Sequence, residues 1–320
     1  MKTDDSAGNR TLIVVVIYRV QPHESSSVQC LQEALVSHPA LQDDYDLLLW
    51  DNGPDPPGHA PQLKIPYRYH RANDNDGVSG AFNGAAAVCS REGYPFMLLL
   101  DQDTDFTPAY LEEMCAQRKR FEHELDVAAI VPLLFDRDVQ LSPKRVRLFR
   151  DTPVAPAPAR FLEGEVFAAN SGVMVRVSSL LAIGGYSLDF WLDHSDMYVF
   201  HQFYLRGWRT YLAADLRLQH SMTMLDYDAR MTAARYDNFL QAEQAFIDLY
   251  KSGLENAVQL IRLLVRSVRQ RRYRDKIYSQ MTLKYLFLRL TTSKARRLSA
   301  WKAHRSTRQQ PMDIATQRGS

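Results

Sequence analysis

The 320-residue chain holds only three cysteines, Cys30, Cys89 and Cys115. They are odd in number, far apart and without the short spacings of a metal knuckle. That argues against a disulfide framework and for buried thiols in a reducing cytosol. Long apolar runs are missing as well. The stretch at residues 12–17 falls far short of the ~18 apolar residues that a membrane helix needs. The start, MKTDDSAGNR, is acidic and polar where a secretory leader would be basic and then apolar, so no leader is expected. There is no phosphate-binding P-loop, no G-x-S-x-G nucleophile elbow, no Cys/His pairing and no internal repeat. Acidic residues almost disappear toward the end: residues 256–305 carry 14 Lys and Arg against one acid, Asp275.

What is present is ordinary globular composition, 46% hydrophobic and 24% charged, enough for a sizeable core. The net charge of +2 conceals a division. Residues 1–255 hold 23 basic and 35 acidic side chains, a balance of −12, whereas residues 256–320 hold 16 and 2, a balance of +14. An acidic body with a basic extension implies two parts with different partners.

The first hundred residues alternate strand and helix patterns. TLIVVVIY (residues 11–18), DLLLWD (46–51) and FMLLLD (96–101) are continuous apolar runs, as strands buried on both faces of a parallel sheet require. Residues 65–70 alternate and read as a further strand. Helices are predicted over residues 24–35, 77–91 and 108–122, the last starting at Pro108. Later strands are expected near residues 127–132, 145–149, 171–177, 208–212 and 216–220, with a helix over 195–206. From about residue 226 the pattern is helical to Trp301. The expectation is an α/β fold with a Rossmann-like, mostly parallel sheet and helices on both faces, plus a C-terminal helical extension. The domains are set at 1–250, 251–303 (basic helical extension) and 304–320, a tail without apolar periodicity. In such sheets ligands bind beyond the carboxyl ends of the strands.

The informative polar residues fall at those ends. The strand at 96–101 runs into Asp101-Gln102-Asp103, two carboxylates whose mutual repulsion a hard divalent ion, Mg²⁺ or Mn²⁺, would relieve while also meeting a diphosphate. An acidic loop has the same appearance. Residues 75–87, NDGVSGAFNGAAA, place Gly77, Gly80 and Gly84 on a helix of small residues. Such a helix permits close approach of a phosphate at its N-terminus, or simply close packing on the sheet. Asp51-Asn52-Gly53 ends the second strand, where a turn alone would also explain it.

The succession VVVIY, WDNGPD, NDGVSGAFNGAAA and LLLDQDTDF resembles the family-2 glycosyltransferases of GT-A fold over roughly residues 11–250. The LLLDQDT run and the later layout look most like bacterial rhamnosyltransferases that build surface polysaccharide. The resemblance implies a nucleotide-sugar donor, with dTDP-L-rhamnose in view, and a saccharide or lipid-linked acceptor. By it Asp51 contacts the base and Tyr18 lies near the nucleoside. Asn75 and Gly77 lie against the nucleotide, Asp101 near the ribose, and Asp103 is the principal metal ligand. FWLDHSDMYVFHQFYLRG (190–207) matches the place of the catalytic base. Asp196 holds the aspartate position, Tyr198 stands where the family usually has a glutamate, and Asp193 is a second candidate; an aspartate entering a helix also caps it. His220 falls where a histidine completes the metal site or touches the diphosphate. Asn170, before a strand, falls where the donor sugar or acceptor is contacted, while His201 reads as structural.

The implied chemistry is a single inverting displacement with Asp196 as general base. Two alternatives remain. One is a nucleotidyltransferase, which would usually show a glycine-rich basic loop where Arg19-Val20-Gln21-Pro22 stands. The other is an inactive sugar-nucleotide-binding module, for which Tyr198 is the best support. The basic extension sets Val258, Ile261, Leu264 and Val265 at helical spacing beside Arg262, Arg266 and Arg269. That pattern suits a peripheral helix on the inner face of the cytoplasmic membrane. It equally suits a helical cap on the catalytic domain or an interface in a homo-oligomer. No nucleic-acid-binding module is recognisable, so no nucleic acid partner is expected.

Overall fold

The computed structural model describes residues 7–54, 62–148, 150–156, 158–220 and 231–306. The described residues form two compact units: those within 7–146 and 152–220 make the first, and those within 147–151 and 231–306 the second.

The first unit is built on β1 (Thr11–Ile17), which has all seven residues buried. Its neighbours β2 (Tyr45–Asp51) and β4 (Phe96–Asp101) run parallel to it on either side, and β3 (Arg68–Arg71) extends the ladder parallel to β2. Leu12, Val14 and Val16 join a core with Phe82, Ala85 and Cys89 of α2 (Gly77–Glu92). Ile13, Val15 and Ile17 are 0% exposed too, so the sheet is covered on both faces. This is the physical reason the run lacks alternation. α1 (Ser26–Ser37) packs against α3 (Pro108–Arg120), and α2 against α4 (Val177–Ala182).

Beyond β4 the sheet ceases to be purely parallel. β12 (Val173–Arg176) lies antiparallel between β4 and β6 (Val127–Asp136), while β13 (Arg209–His220) runs parallel to β6. Short strands complete the sheet: β5 (Thr104–Asp105) on β13, β7 (Val139–Ser142) on β6, and β10 (Arg160–Phe161) on β13. β8 (Lys144–Arg145), β9 (Thr152–Pro153) and β11 (Val166–Phe167) make a small second sheet. α5 (Ser195–Leu205) precedes β13.

Several expectations shift. The two short strands foreseen at 208–212 and 216–220 are one bulged strand, β13. The strand expected over 145–149 is reduced to β8. The sheet direction reverses at β12, because residues 173–176 return antiparallel beside β4. The turn foreseen at residues 53–58 lies mostly outside the described residues.

The second unit contains α6 (Ala233–Tyr250), α7 (Gly253–Gln270), α8 (Ile277–Thr291) and α9 (Lys294–Ser306). Its boundary precedes the one read from sequence at residue 250. Tyr236 and Leu240 of α6 share a core with Leu263, Tyr278 and Tyr285, so α6 packs with the extension. Residues 304–306, assigned from sequence to the unstructured tail, continue α9, and residues 307–320 lie outside the description.

Candidate functional site

Strand register assembles the site. Val16 pairs with both Trp50 and Asp101, and Ile17 with Asp51, so the carboxyl ends of β1, β2 and β4 finish level. Asp51 and Asp101 therefore stand on one sheet edge, with Tyr18 next in the chain and 38% exposed. Because β12 returns antiparallel to β4, with Val173 opposite Leu99, Asn170 and Ser171 arrive at the same edge. β13 carries His220 to the turn after β4, where it pairs with Thr104. Residues more than a hundred positions apart are thus gathered by pairing alone.

The Asp51 carboxylate is held by three donors. Its Oδ1 accepts from the Gly53 N–H at 2.7 Å, and its Oδ2 accepts from the Tyr69 hydroxyl. Arg71 stands 3.6 Å from that oxygen. Burial, with the hydrogen bond to Asp51 next, pushes the Tyr69 hydroxyl well above the ordinary tyrosine range. Asn52 donates to the Gly77 carbonyl at 3.0 Å, tying the end of β2 to the start of α2. The Asn75 side-chain oxygen accepts from the Gly77 N–H at 3.0 Å. Gly77 itself has φ +67°, and a Cβ there would lie 2.2 Å from the Trp191 carbonyl oxygen. Only glycine fits both the backbone angle and that approach.

The contact with Trp191 docks the segment before α5 onto the head of α2. The Ser79 N–H donates to the Trp191 carbonyl at 3.1 Å and the Ser79 hydroxyl to the Phe190 carbonyl at 2.6 Å. His194, the residue before α5, has φ +64°, an uncommon conformation for a residue with a side chain. Asp196 follows in the first turn, and its Oδ1 accepts from the Met197 N–H at 2.7 Å. Burial raises the Asp196 carboxyl from 3.8 to about 6, with the charges of Asp193 and Asp101 adding to the rise. A second chain of bonds steadies this corner. The Tyr186 hydroxyl donates to the Asn170 side-chain oxygen at 2.9 Å, and the Asn170 amide donates to the Ser195 hydroxyl at 3.2 Å.

The Asp101-Gln102-Asp103 turn is fastened to α1. Ser27 donates to the Asp101 carbonyl, and Ser25 to the Gln102 carbonyl at 2.7 Å. The Gln102 side-chain oxygen accepts from the Tyr18 N–H at 2.8 Å. The Asp101 carboxylate accepts from the Ser171 hydroxyl. Asp103, half exposed, places Oδ1 3.4 Å from His220 Nδ1. Two ligands on one octahedral ion with ~2.1 Å bonds stand about 3 Å apart, so this oxygen and nitrogen suit a shared Mn²⁺ or Mg²⁺. Among the described residues no three His, Cys, Asp or Glu side chains form a metal cage. The structure therefore brings together two of the three expected ligands, Asp103 and His220. The third, Asp101, is engaged by Ser171 rather than gathered with them.

Tyr69, Arg71, Asn83 and Tyr186 were not singled out from sequence, and Gln102, Ser171 and Ser25–Ser27 were noted there only as members of their runs. Ser25 carried a signal, being the N-cap of α1, where its hydroxyl accepts from the Val28 N–H. Asn83 makes a two-way pair with the Tyr186 backbone, at 2.8 Å each way. His201, read as structural, lies 2.7 Å from Glu165. The three cysteines are free thiols, with Cys89 and Cys115 buried.

No family profile matches the chain, and no curated protein matches it in sequence. Among solved structures it is similar to GalNAc-T7 crystallised with UDP, GalNAc and Mn²⁺, at 10% identity and a TM-score of 0.54. That match covers 93% of this chain and 57% of the other, so the chain spans little more than half that protein's length. Residues 1–349 of S. aureus TarS match at 11% identity and a TM-score of 0.47, over 96% of this chain and 94% of that one. The same protein with UDP-GlcNAc gives 12% identity and a TM-score of 0.48, at the same coverage. The likeness is one of fold, and the fold is the GT-A type expected from the sequence.

Proposed function

We propose that the chain transfers a sugar from a nucleoside diphosphate donor to an acceptor hydroxyl by a single inverting displacement. The observation that carries this reading is the raised Asp196 carboxyl at the strand edge where Asp51, Asp101, Asp103 and His220 gather. A carboxylate with a pKa of about 6 is ionised at neutral pH yet basic enough to accept a proton.

In this reading the nucleoside lies along the ends of β1 and β2, against Tyr18, Asp51, Asn75 and Gly77, and its ribose near Asp101. Asp103 and His220 would hold a Mg²⁺ or Mn²⁺ ion, which when bound supplies positive charge for the diphosphate leaving group. Asn170 orients the transferred sugar or the acceptor. Asp196 takes the proton from the acceptor hydroxyl as that oxygen forms its bond to the anomeric carbon. The carbon–oxygen bond to the diphosphate breaks, and its electron pair leaves with the diphosphate. Asp193 raises the affinity of Asp196 for that proton. The donor that the sequence resemblance favours is dTDP-L-rhamnose, and the acceptor a saccharide or lipid-linked saccharide.

Thermal unfolding with a panel of nucleoside diphosphates and their sugars, with and without Mn²⁺, tests this. Ligand at a hundred times its Kd stabilises by about 2.7 kcal/mol. A metal-dependent shift with one nucleotide is expected, and dTDP would support rhamnose. If no nucleotide shifts the transition in the presence of metal, the reading fails.

A further inference from the structure

The basic helices α7 and α8 are built with their apolar faces turned outward. On α7, Leu254, Ile261, Leu264, Val265 and Val268 are each between 42% and 64% exposed. The spacing of seven, four and three between 254, 261, 265 and 268 places them on one face. The face α7 buries holds Val258, Gln259, Leu263, Ser267 and Gln270. On α8, Leu283, Phe287 and Leu290 are 36%, 65% and 63% exposed, whereas Tyr278, Thr282, Tyr285 and Arg289 are buried.

The inward faces meet through the small core of Leu263, Tyr278 and Tyr285 and through polar groups beside it. The Gln270 amide donates to the Tyr236 hydroxyl at 2.7 Å, the Thr282 hydroxyl donates to the Gln270 side-chain oxygen at 2.7 Å, and the Ser279 hydroxyl donates to the Ser267 carbonyl at 2.8 Å. The two helices thus carry a second apolar stripe in addition to the one they bury, and an outward stripe of this size calls for an apolar phase outside the chain.

Charge selects the occupant. Arg262 and Arg266 are matched within the unit by Asp151 and Glu243. Past them, Arg269, Arg271, Arg272, Arg274 and Lys276 are all exposed and cluster at the end of α7 and the turn to α8, with Asp275 the one acid. A symmetric dimer through this face would set two such clusters against each other. A nucleic acid would leave the apolar stripe in water. An anionic lipid surface takes both features at once. No described helix is long and apolar enough to cross a membrane, so the contact would be interfacial.

We propose that the outward face of α7 and α8 docks the protein on an anionic phospholipid surface. Leu254, Ile261, Leu264, Val265, Val268, Phe287 and Leu290 enter the acyl boundary, and the cluster at 269–276 meets the headgroups. The inference rests on the helical unit alone and is independent of the transfer reading.

Co-sedimentation of the full chain with vesicles tests it, using phosphatidylcholine alone and phosphatidylcholine with phosphatidylglycerol. Binding is expected only to the anionic vesicles, weakening as salt rises. The exposed triple change Ile261→Gln, Val265→Gln and Val268→Gln should lower binding at least tenfold. Replacing Arg269, Arg271 and Arg272 by Gln should lower it roughly fivefold per residue, on the order of a hundredfold together. Circular dichroism and melting confirm that both variants fold. Absence of binding, equal binding to neutral vesicles, or wild-type binding by the folded variants overturns the proposal. So does a wild-type dimer in sedimentation velocity that the apolar triple variant splits, since a second copy would then own the face.

Discussion

Replacing Asp196 with Asn should abolish transfer and at the same time stabilise the fold. Burial is the main reason the carboxyl rises from 3.8 to about 6, and Asp193 and Asp101 add to it. A raised pKa means the folded chain holds this proton more tightly than the unfolded chain. Between the two values the native state binds more protons, so stability falls as pH rises through that window. Above it the whole cost is present. A rise of about two units corresponds to about 3 kcal/mol. Asparagine carries no charge to desolvate, and its oxygen can keep the bond that Met197 N–H donates at 2.7 Å. The variant should therefore be more stable than wild type by up to ~3 kcal/mol at pH 8, and by about half that at pH 5. Urea unfolding of both proteins at the two pH values measures the gap, and a transfer assay on the same preparations measures the loss. A gap that does not change with pH, or a wild type more stable at pH 8, would refute the account of why the pKa is raised.

The remaining expectations concern the same edge. Transfer by the wild type should rise with pH along a single ionisation near 6, following Asp196, and a flat profile between pH 5 and 7.5 would separate Asp196 from proton removal. Asp103→Ala and His220→Ala should each erase the metal-dependent part of donor stabilisation if, as proposed, the two atoms 3.4 Å apart share one ion. Donor affinity unchanged by chelator in wild type would sink that role. Two glycine changes on α2 should differ. A Cβ at Gly84 would sit 2.0 Å from the Trp50 ring, so Gly84→Ala should cost roughly 1–3 kcal/mol of stability while the folded fraction still binds donor. Gly77→Ala meets the Trp191 carbonyl and adds backbone strain, so it should displace the segment before α5 and lower transfer at least tenfold.

The strands and helices around the carboxyl edge of the sheet were legible because each is dictated locally. Seven buried residues in a row at 11–17 leave little alternative to an interior parallel strand. The carboxylates ending such strands then fall where ligands bind. The rest depends on pairing between distant segments. Nothing in residues 170–176 announces that they return antiparallel beside β4, yet that return delivers Ser171 to Asp101. The motif shows the carboxylates of Asp101 and Asp103 but not the neighbour that topology sets against Asp101. The boundary at 250 failed for a similar reason. α6 looks like a continuation of the first domain in sequence, but Tyr236 packs edge-on against Tyr278 at 5.5 Å. The outward turn of the apolar stripe on α7 is likewise invisible to periodicity, which reports the width of a stripe and not what it faces.

Tyr198 bears on whether the site works. The resemblance places a glutamate there, and its loss was the best sequence argument for an inactive module. In the structure the Tyr198 ring lies 6.3 Å from that of Phe190 at an angle of 30°. Phe190 in turn anchors the segment before α5 by accepting from Ser79. The residue thus packs on the segment before α5, and Asp196 stands two positions before it in the first turn of that helix. A change of one residue, Asp196→Asn, would relieve a cost of about 3 kcal/mol, a large share of the stability of an ordinary domain. The raised carboxyl beside Asp193 and Asp101 supports the proposed role, and the transfer assay on Asp196→Asn distinguishes it from an aspartate that only accepts from the Met197 N–H in the first turn of α5.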